Sequence, residues 1–422
     1  MSRYKEPAWR QLDNAAKIFP TNSNKYDTKV FRFSCRLKEM VQPRVLQKAL
    51  DKTMHAFPLY ASIIRKGLFW YYFESSDIKP IIKQENHSPC GQIYDENIKG
   101  LLFEVTYYKK RINLEVHHAL TDGVGALQFL KTLVLNYLVM VHADVLQEKN
   151  LSIDYDASLA EREVDGFSKY SSKAKGSKKA SIGKAYKFKG ERIDEDFLQV
   201  INGQVSVKQV LGKAHEYKTT ITIYLIALLI QAIGEQMSER EKKRPVVVSV
   251  PVNLRPYFQS ASARNFFSVV LVPYRFCKSK NQLEDIIDYL KVFFDKELKT
   301  EKFQARINHL VALEKNYVTR AVPLILKRPT LKLAHYFNNE EVTTSFSNTG
   351  KVIMPDEVVT YIDGFDFCVS TRKIQVCLCS FGDQLSISFT SPFVNTEVQK
   401  YFFRALTKQG IRVVLSTNLV EE

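Results

Sequence analysis

The apolar positions of this chain switch repeatedly between a period of two and a period of 3.6, the pattern of a protein that mixes strands with helices. Residues 30–38 alternate: Phe31, Phe33, Cys35 and Leu37 fall on one face, and Arg32, Ser34, Arg36 and Lys38 on the other. That predicts a half-buried strand. Pro43 then opens a helix through Val45, Leu46, Ala49, Leu50 and Met54, closed by Pro58. Residues 67–73 read as a strand, and 101–108 and 111–117 as a strand pair. Leu127, Leu130, Val134, Leu138 and Val141 then recur at helical spacing.

The second half repeats this mixture. Residues 197–205 are weakly strand-like, and Ser206 is placed to cap a short helix carrying Val207, Val210, Leu211 and Ala214. The run 221–233 is apolar all round, which predicts a buried helix. Residues 246–252 form an apolar strand ending at Asn253-Leu254-Arg255-Pro256, and 267–274 a further strand. Leu283, Ile286, Ile287, Leu290, Phe293 and Phe294 mark an amphipathic helix. More helix is expected over 303–337, interrupted at Pro323 and Pro329. Strands dominate 341–391, and a helix closes the series at 397–408.

Length and composition allow two lobes with a substantial core: 422 residues, 45% hydrophobic and 25% charged. The polar N-terminus predicts no secretion signal, and 221–233 is shorter than the roughly 20 residues a membrane crossing needs. A cytoplasmic protein with no transmembrane segment is expected. Six scattered cysteines make no disulfide framework. Cys377 and Cys379 share a strand face without a zinc-spaced partner pair, so buried reduced thiols and no metal are expected.

The net charge of +16 is unevenly spread, with eight lysines and no acid between Gly166 and Gly190. This stretch reads as a solvated linker or exposed loop dividing an N-terminal lobe (1–165) from a C-terminal lobe (191–422) across a crossover at 166–190. Its charge would alternatively attract a polyanion, such as the phosphates of coenzyme A, or an acidic carrier protein. No recognition motif or stacking pattern accompanies the lysines, which argues against nucleic acid.

The junction after the strand at 111–117 carries the densest chemistry: His117-His118-Ala119-Leu120-Thr121-Asp122-Gly123. Histidine, with an ordinary pKa of about 6.5, supplies a proton acceptor near neutral pH. Strand parity places His118 on the face of Ile112, Leu114 and Val116, and His117 on the opposite one. Beside a bound hydroxyl or amine, such a base could activate attack on an acyl carbonyl. Asp122 suits bracing the loop and, if buried, needs a cation. Gly123 would permit a sharp turn. An Asp cap and a turn Gly also occur at ordinary strand-to-helix junctions, so a purely structural reading stays open.

The HHALTDG segment resembles the HHxxxDG signature of the coenzyme A-dependent acyltransferases, a superfamily that includes chloramphenicol acetyltransferase, alcohol acetyltransferases, plant BAHD enzymes, wax ester synthases and condensation domains. Leu12-Asp13-Asn14-Ala15-Ala16-Lys17-Ile18-Phe19-Pro20 is similar to the opening of bacterial alcohol acetyltransferase-like proteins. The resemblance implies an α/β (mixed-sheet α+β) fold of two chloramphenicol acetyltransferase-like lobes with an active-site tunnel between them. It implies His118 as general base, His117 as supporting residue, and Asp122 and Gly123 as structural. Asp122 would pair with an arginine of the second lobe, with Arg255 the first candidate and Arg264 the second.

Ser347-Asn348-Thr349-Gly350 is similar to the SN-x-G segment lining the tunnel in wax ester synthases and condensation domains. Ser347, Asn348 and Thr349 are therefore oxyanion or tunnel candidates, with a polar turn as the alternative. The plant DFGWG motif is absent; the nearest sequence is Asp363-Gly364-Phe365-Asp366-Phe367. The implied activity is transfer of an acyl group, such as acetyl, from acyl-coenzyme A to a small or lipophilic alcohol. Coenzyme A would be a co-substrate, no cofactor would be bound permanently, and the chain would be a monomer. The competing readings are a condensation-type enzyme served by an acyl carrier protein and a non-catalytic binding protein.

Overall fold

The structure is a computed structural model and describes residues 9–149, 151–153, 159–172, 182–194, 197–276 and 281–419. The first lobe is built on a five-stranded sheet in the order Ile362–Val369, Val30–Leu37, Arg111–His117, Phe103–Tyr108, Lys83–Gln84. Phe31, Phe33, Cys35 and Leu37 pack into a core with Leu46, Ala49 and Leu50 of the helix Pro43–Met54 and Phe129, Leu130 and Leu133 of the helix Gly123–Val141. The latter helix is long and apolar enough to cross a membrane. Its buried residues sit in this core instead, as expected of a central packing helix.

The second lobe has a seven-stranded sheet in the order Phe267–Tyr274, Val246–Asn253, Thr344–Lys351, Gln375–Phe381, Gln384–Ser391, Gln199–Ser206, Val414–Thr417. Thr344–Lys351 runs parallel to both its neighbours, and the other pairings are antiparallel. The helix Ile221–Glu235 is the centre of this lobe's core, packed by Leu283–Glu297 and Glu397–Lys408. Its uniformly apolar sequence matches burial on every side.

Several expectations are corrected by long-range pairing. The strand Val30–Leu37 is buried on both faces: Arg32 lies 2.6 Å from Glu115 and also pairs with Glu85, while Ser34 donates to Asn113. Its polar side chains thus face a groove of about 650 Å³ shared with Asn202, Gln204 and Ser388 of the second lobe. Residues 67–73 do not form one strand. Gly67–Trp70 is the turn of a hairpin between Ser62–Lys66 and Tyr71–Ser75, closed by a bond from Gly67 N to Trp70 O. Trp9–Gln11 adds a third strand to that hairpin.

The expected division at 166–190 has every strand of the seven-stranded sheet on one side and four of the five strands of the first sheet on the other. Ile362–Val369, from the far side of that division, pairs with Val30–Leu37 and completes the first sheet. The lysine-rich stretch is not a free linker throughout. Phe167, Ala185 and Tyr186 are buried, and Tyr186 N donates to Pro245 O. Apolar side chains at both ends anchor it; residues 173–181, with four of its lysines, lie outside the described residues. Pro329 does not interrupt the helix Leu324–Glu340. The carbonyl it leaves unpaired belongs to Ile325, on an exposed face where water can serve it.

Candidate active site

The strand Arg111–His117 ends at the first histidine, but the main chain continues its pairing one step further, as His118 N donates to Lys29 O at 2.8 Å. That register carries the strand parity onto His118. Its ring lies beside Phe31, with centroids 4.8 Å apart, and stacks on Phe19 at 4.8 Å. Phe267 of the second lobe closes a third side at 5.8 Å. Burial in this aromatic box is the main cause of a pKa below the ordinary value. The Asp122 charge, Asn265 and the residue's own carbonyl offset part of that effect, while Lys29 adds to it. The Nδ1 atom is buried without a partner. His118 is therefore neutral at pH 7.

His117 points the other way and is fully buried against Tyr94. Its Nδ1 accepts from Ala119 N at 3.3 Å, which leaves the proton on Nε2. Burial, with smaller contributions from His118 and Lys29, lowers its pKa to about 3. A ring so enclosed cannot reach a substrate in the box that holds His118, so the geometry gives His117 a packing place.

Asp122 is the N-cap of the helix Gly123–Val141 and accepts from five donors. Val124 N and Gly125 N reach Oδ1 at 3.1 and 3.2 Å, and Phe266 N reaches Oδ2 at 2.9 Å. Arg255 supplies the other two, bonding Oδ2 at 2.8 Å and Oδ1 at 3.1 Å. The guanidinium is itself held by the carbonyls of Ser262 and Arg264. A fork-to-fork pair this buried, with every remaining lone pair served, is the arrangement in which desolvation is best repaid. It joins the first lobe's signature turn to the end of the second lobe's strand Val246–Asn253. Arg264 instead sits 3.7 Å from Asp13 and donates to Gln11 O.

Gly123 does not adopt the left-handed conformation, and a Cβ there would make ordinary contacts with Thr349 and Phe33 at 3.6 and 3.7 Å. The turn does not need it. The glycine that geometry demands is Gly125, whose added Cβ would fall 2.1 Å from Thr121 Oγ1 and 2.2 Å from Ala263 O. The Thr121 hydroxyl donates to that same carbonyl, so the Ala263 carbonyl of the second lobe packs between the Thr121 side chain and the Gly125 backbone. Gly125→Ala is expected to cost roughly 1–3 kcal/mol of stability through overpacking, and Gly123→Ala less than about 0.5 kcal/mol. Equilibrium urea unfolding of the two variants checks this; an equal loss would remove the close approach as the reason for Gly125.

The three candidates on Thr344–Lys351 separate by strand alternation. Thr349 abuts Gly123, and Ser347 shares its face. Asn348 points to the other face, donating to Thr222 at 3.0 Å and accepting from Gly350 N. Its side chain is thereby committed away from the histidine. The Thr349 hydroxyl donates to Leu378 O at 2.9 Å. The Ser347 hydroxyl has no hydrogen-bonded partner among the described residues, although its main chain pairs with the strand Gln375–Phe381.

Two residues join the site that motif spacing does not reveal. Asn265 donates to His118 O at 3.1 Å and to Asp13 Oδ2 at 3.3 Å. Asp13 also accepts from Ala16 N at 2.7 Å. Burial raises the Asp13 pKa to about 6 against the opposing pull of Arg264. The signal available in sequence was the acid within Leu12-Asp13-Asn14-Ala15-Ala16, a segment otherwise apolar or small. The described residues include no cluster of His, Cys, Asp and Glu able to hold a metal ion. The described cysteines are free and buried.

No protein-family model matches the chain, and no curated protein matches it in sequence. Solved structures do match. A trichothecene 15-O-acetyltransferase from Fusarium sporotrichioides aligns with 95% of this chain and 94% of its own at TM-score 0.62 and 12% identity. The protein TRI101 from F. sporotrichioides, complexed with coenzyme A and T-2, aligns over 96% and 99% at TM-score 0.64 and 9% identity. The starter condensation domain of rhizomide synthetase aligns over 96% and 97% at TM-score 0.52 and 10% identity. At these identities the likeness is one of fold: the chain has the two-lobed, chloramphenicol acetyltransferase-like α/β architecture.

Proposed function

We propose that this protein is an acyltransferase that moves an acyl group from a coenzyme A thioester to an alcohol hydroxyl by direct attack. The observation that carries the reading is a neutral histidine, His118, held in an aromatic box at the meeting of two lobes that Asp122 and Arg255 lock together. The structural neighbours support acyl transfer as the reaction class: one is by name an O-acetyltransferase, and another was solved with coenzyme A.

In this mechanism the buried Nδ1 keeps the proton and Nε2 accepts the one from the alcohol. The alcohol oxygen attacks the thioester carbon, the carbonyl pair moves onto oxygen, and the C–S bond then breaks. His118 returns the proton to the departing thiolate. Ser347, whose hydroxyl is uncommitted, is the donor we assign to the oxyanion, and Thr349 forms the adjoining wall. Asn265, itself braced by Asp13, donates to the His118 carbonyl and so fixes the ring's approach.

Release of free thiol from a panel of acyl-coenzyme A donors, each with short and long alcohols, tests the reading. Alcohol-dependent release with ester formation is expected. Absence of alcohol-dependent release across the panel would overturn it in favour of a carrier-bound donor or a binding role.

A further inference from the structure

The helix Leu324–Glu340 is oriented with its polar arc inward. Leu324 and Lys327 are buried, and Arg328, Leu331 and His335 half-buried, whereas Ile325, Leu326, Leu333, Tyr336 and Phe337 are each 56–70% exposed. At 100° per residue those five apolar side chains fall within an arc of about 120°. Polar contacts hold the helix in this orientation. Lys327 donates to Phe69 O at 3.1 Å and lies 3.8 Å over the Trp70 ring, and Arg328 pairs with Glu96 at 2.7 Å. At its N-terminal end Leu324 N donates to the carbonyl of Leu68, which is itself exposed, and Tyr317 on the preceding short helix is 88% exposed. Contiguous apolar surface of this kind marks an interaction site rather than ordinary surface scatter.

Charge identifies the partner. Residues 315–339 contain Lys315, Arg320, Lys327, Arg328 and Lys332 and no Asp or Glu. Lys315, Arg320 and Lys332 are exposed, with no ion pair to any described residue. A second copy of this chain on the face would set those cations against each other. The stretch 173–181 (Lys-Ala-Lys-Gly-Ser-Lys-Lys-Ala-Ser) has no large apolar residue that could cover it. An anionic bilayer answers both features, with acyl chains for the apolar arc and headgroups for the cations.

We propose that this face docks the protein on an anionic lipid surface, lying in the interface without crossing it. The helix packs on Phe19–Asn22, whose Phe19 stacks on His118, so docking would bring a lipophilic substrate's source close to the candidate site. The docking inference stands whether or not the acyl-transfer reading does.

The chain's two tryptophans, Trp9 and Trp70, line a cavity of about 500 Å³ beside this face and serve as probes. The full-length protein is mixed with vesicles of phosphatidylcholine, with or without one-third phosphatidylserine. Binding is read by co-sedimentation and tryptophan emission. Binding to the anionic vesicles is expected, weakening with salt. Leu333→Ser with Phe337→Ser should lower it at least about tenfold, and Lys315→Glu with Arg320→Glu and Lys332→Glu roughly a hundredfold. Circular dichroism and thermal melting check that both variants fold. No binding by the wild type, or equal binding by both variants (which would place it at the lysine-rich stretch), overturns the proposal. So does a sedimenting dimer that the Leu333→Ser, Phe337→Ser variant dissociates, since the occupant would then be a second copy.

Discussion

Replacing His118 with alanine is expected to lower alcohol-dependent thiol release by roughly 10²–10⁴-fold, the range for loss of a positioned general base. The fold should persist, because the residue is only partly buried and its loss removes ring contacts rather than a bonded network. A stability loss of about 1 kcal/mol is the expected scale. The pH profile supplies a second readout. A base must be neutral to act, and burial moves the His118 pKa below 6.5, so the rate should be flat from neutral pH upward and fall only below 6.5. Asp13, at about 6, would add a second acid limb as its charge beside Arg264 is lost. Asp13→Asn should shift that limb while leaving the requirement for His118 intact. Wild-type turnover by His118→Ala on several donors would remove the base from the mechanism.

Acid also acts on stability, with a sign that can be worked out. His117 is held near 3 when folded but titrates near 6.5 when unfolded, so the unfolded chain binds more protons between these values. Its contribution is complete above pH 6.5 and is lost as pH falls toward 3, at up to about 1.4 kcal/mol per unit. Rates at low pH therefore need to be measured in brief jumps, before unfolding contributes to the acid limb.

What could be read from the sequence was mostly local. The alternation at 30–37, the apolar run at 221–233 and the Ser206 cap each state their element outright, because period and capping chemistry are properties of neighbouring residues. The inward-facing Arg32 and Ser34 could not be read that way. Their burial depends on Glu115, Glu85 and Asn113, which belong to other segments and satisfy polar groups that alternation assigns to water. The pairing of Ile362–Val369 with Val30–Leu37 is equally remote. At the site, the motif pointed to His118 and Asp122 and the strand end to Arg255, but not to Asn265, an ordinary amide until the fold sets it between Asp13 and His118 O. The need for Gly125 is hidden from the sequence for the same reason: Ala263, which makes it necessary, approaches from the second lobe.

Breaking the Asp122–Arg255 pair is the other large expected effect, and its pattern distinguishes a brace from a catalytic acid. Arg255→Met should destabilise by roughly 3–5 kcal/mol, since it strands a buried carboxylate. Three backbone donors (Val124, Gly125 and Phe266) still serve that carboxylate, which places the loss toward the lower end. Asp122→Ala should cost more, because it leaves those donors unserved and strips a buried guanidinium, held then only by neutral acceptors such as the Ser262 and Arg264 carbonyls, of its counter-charge. In the double variant the two losses should fall short of their sum by roughly 2–3 kcal/mol, the coupling of groups in direct contact. Urea midpoints for the four proteins measure this cycle. Activity should follow the folded fraction in each variant, because the pair acts by holding two lobes in register around His118. An Asp122→Asn protein that stays as stable as wild type yet loses turnover would assign the carboxylate to the chemistry instead. A strictly additive cycle would mean that the lobes are held by their other contacts, among them Thr121–Ala263, Asn265–His118 and the shared first sheet.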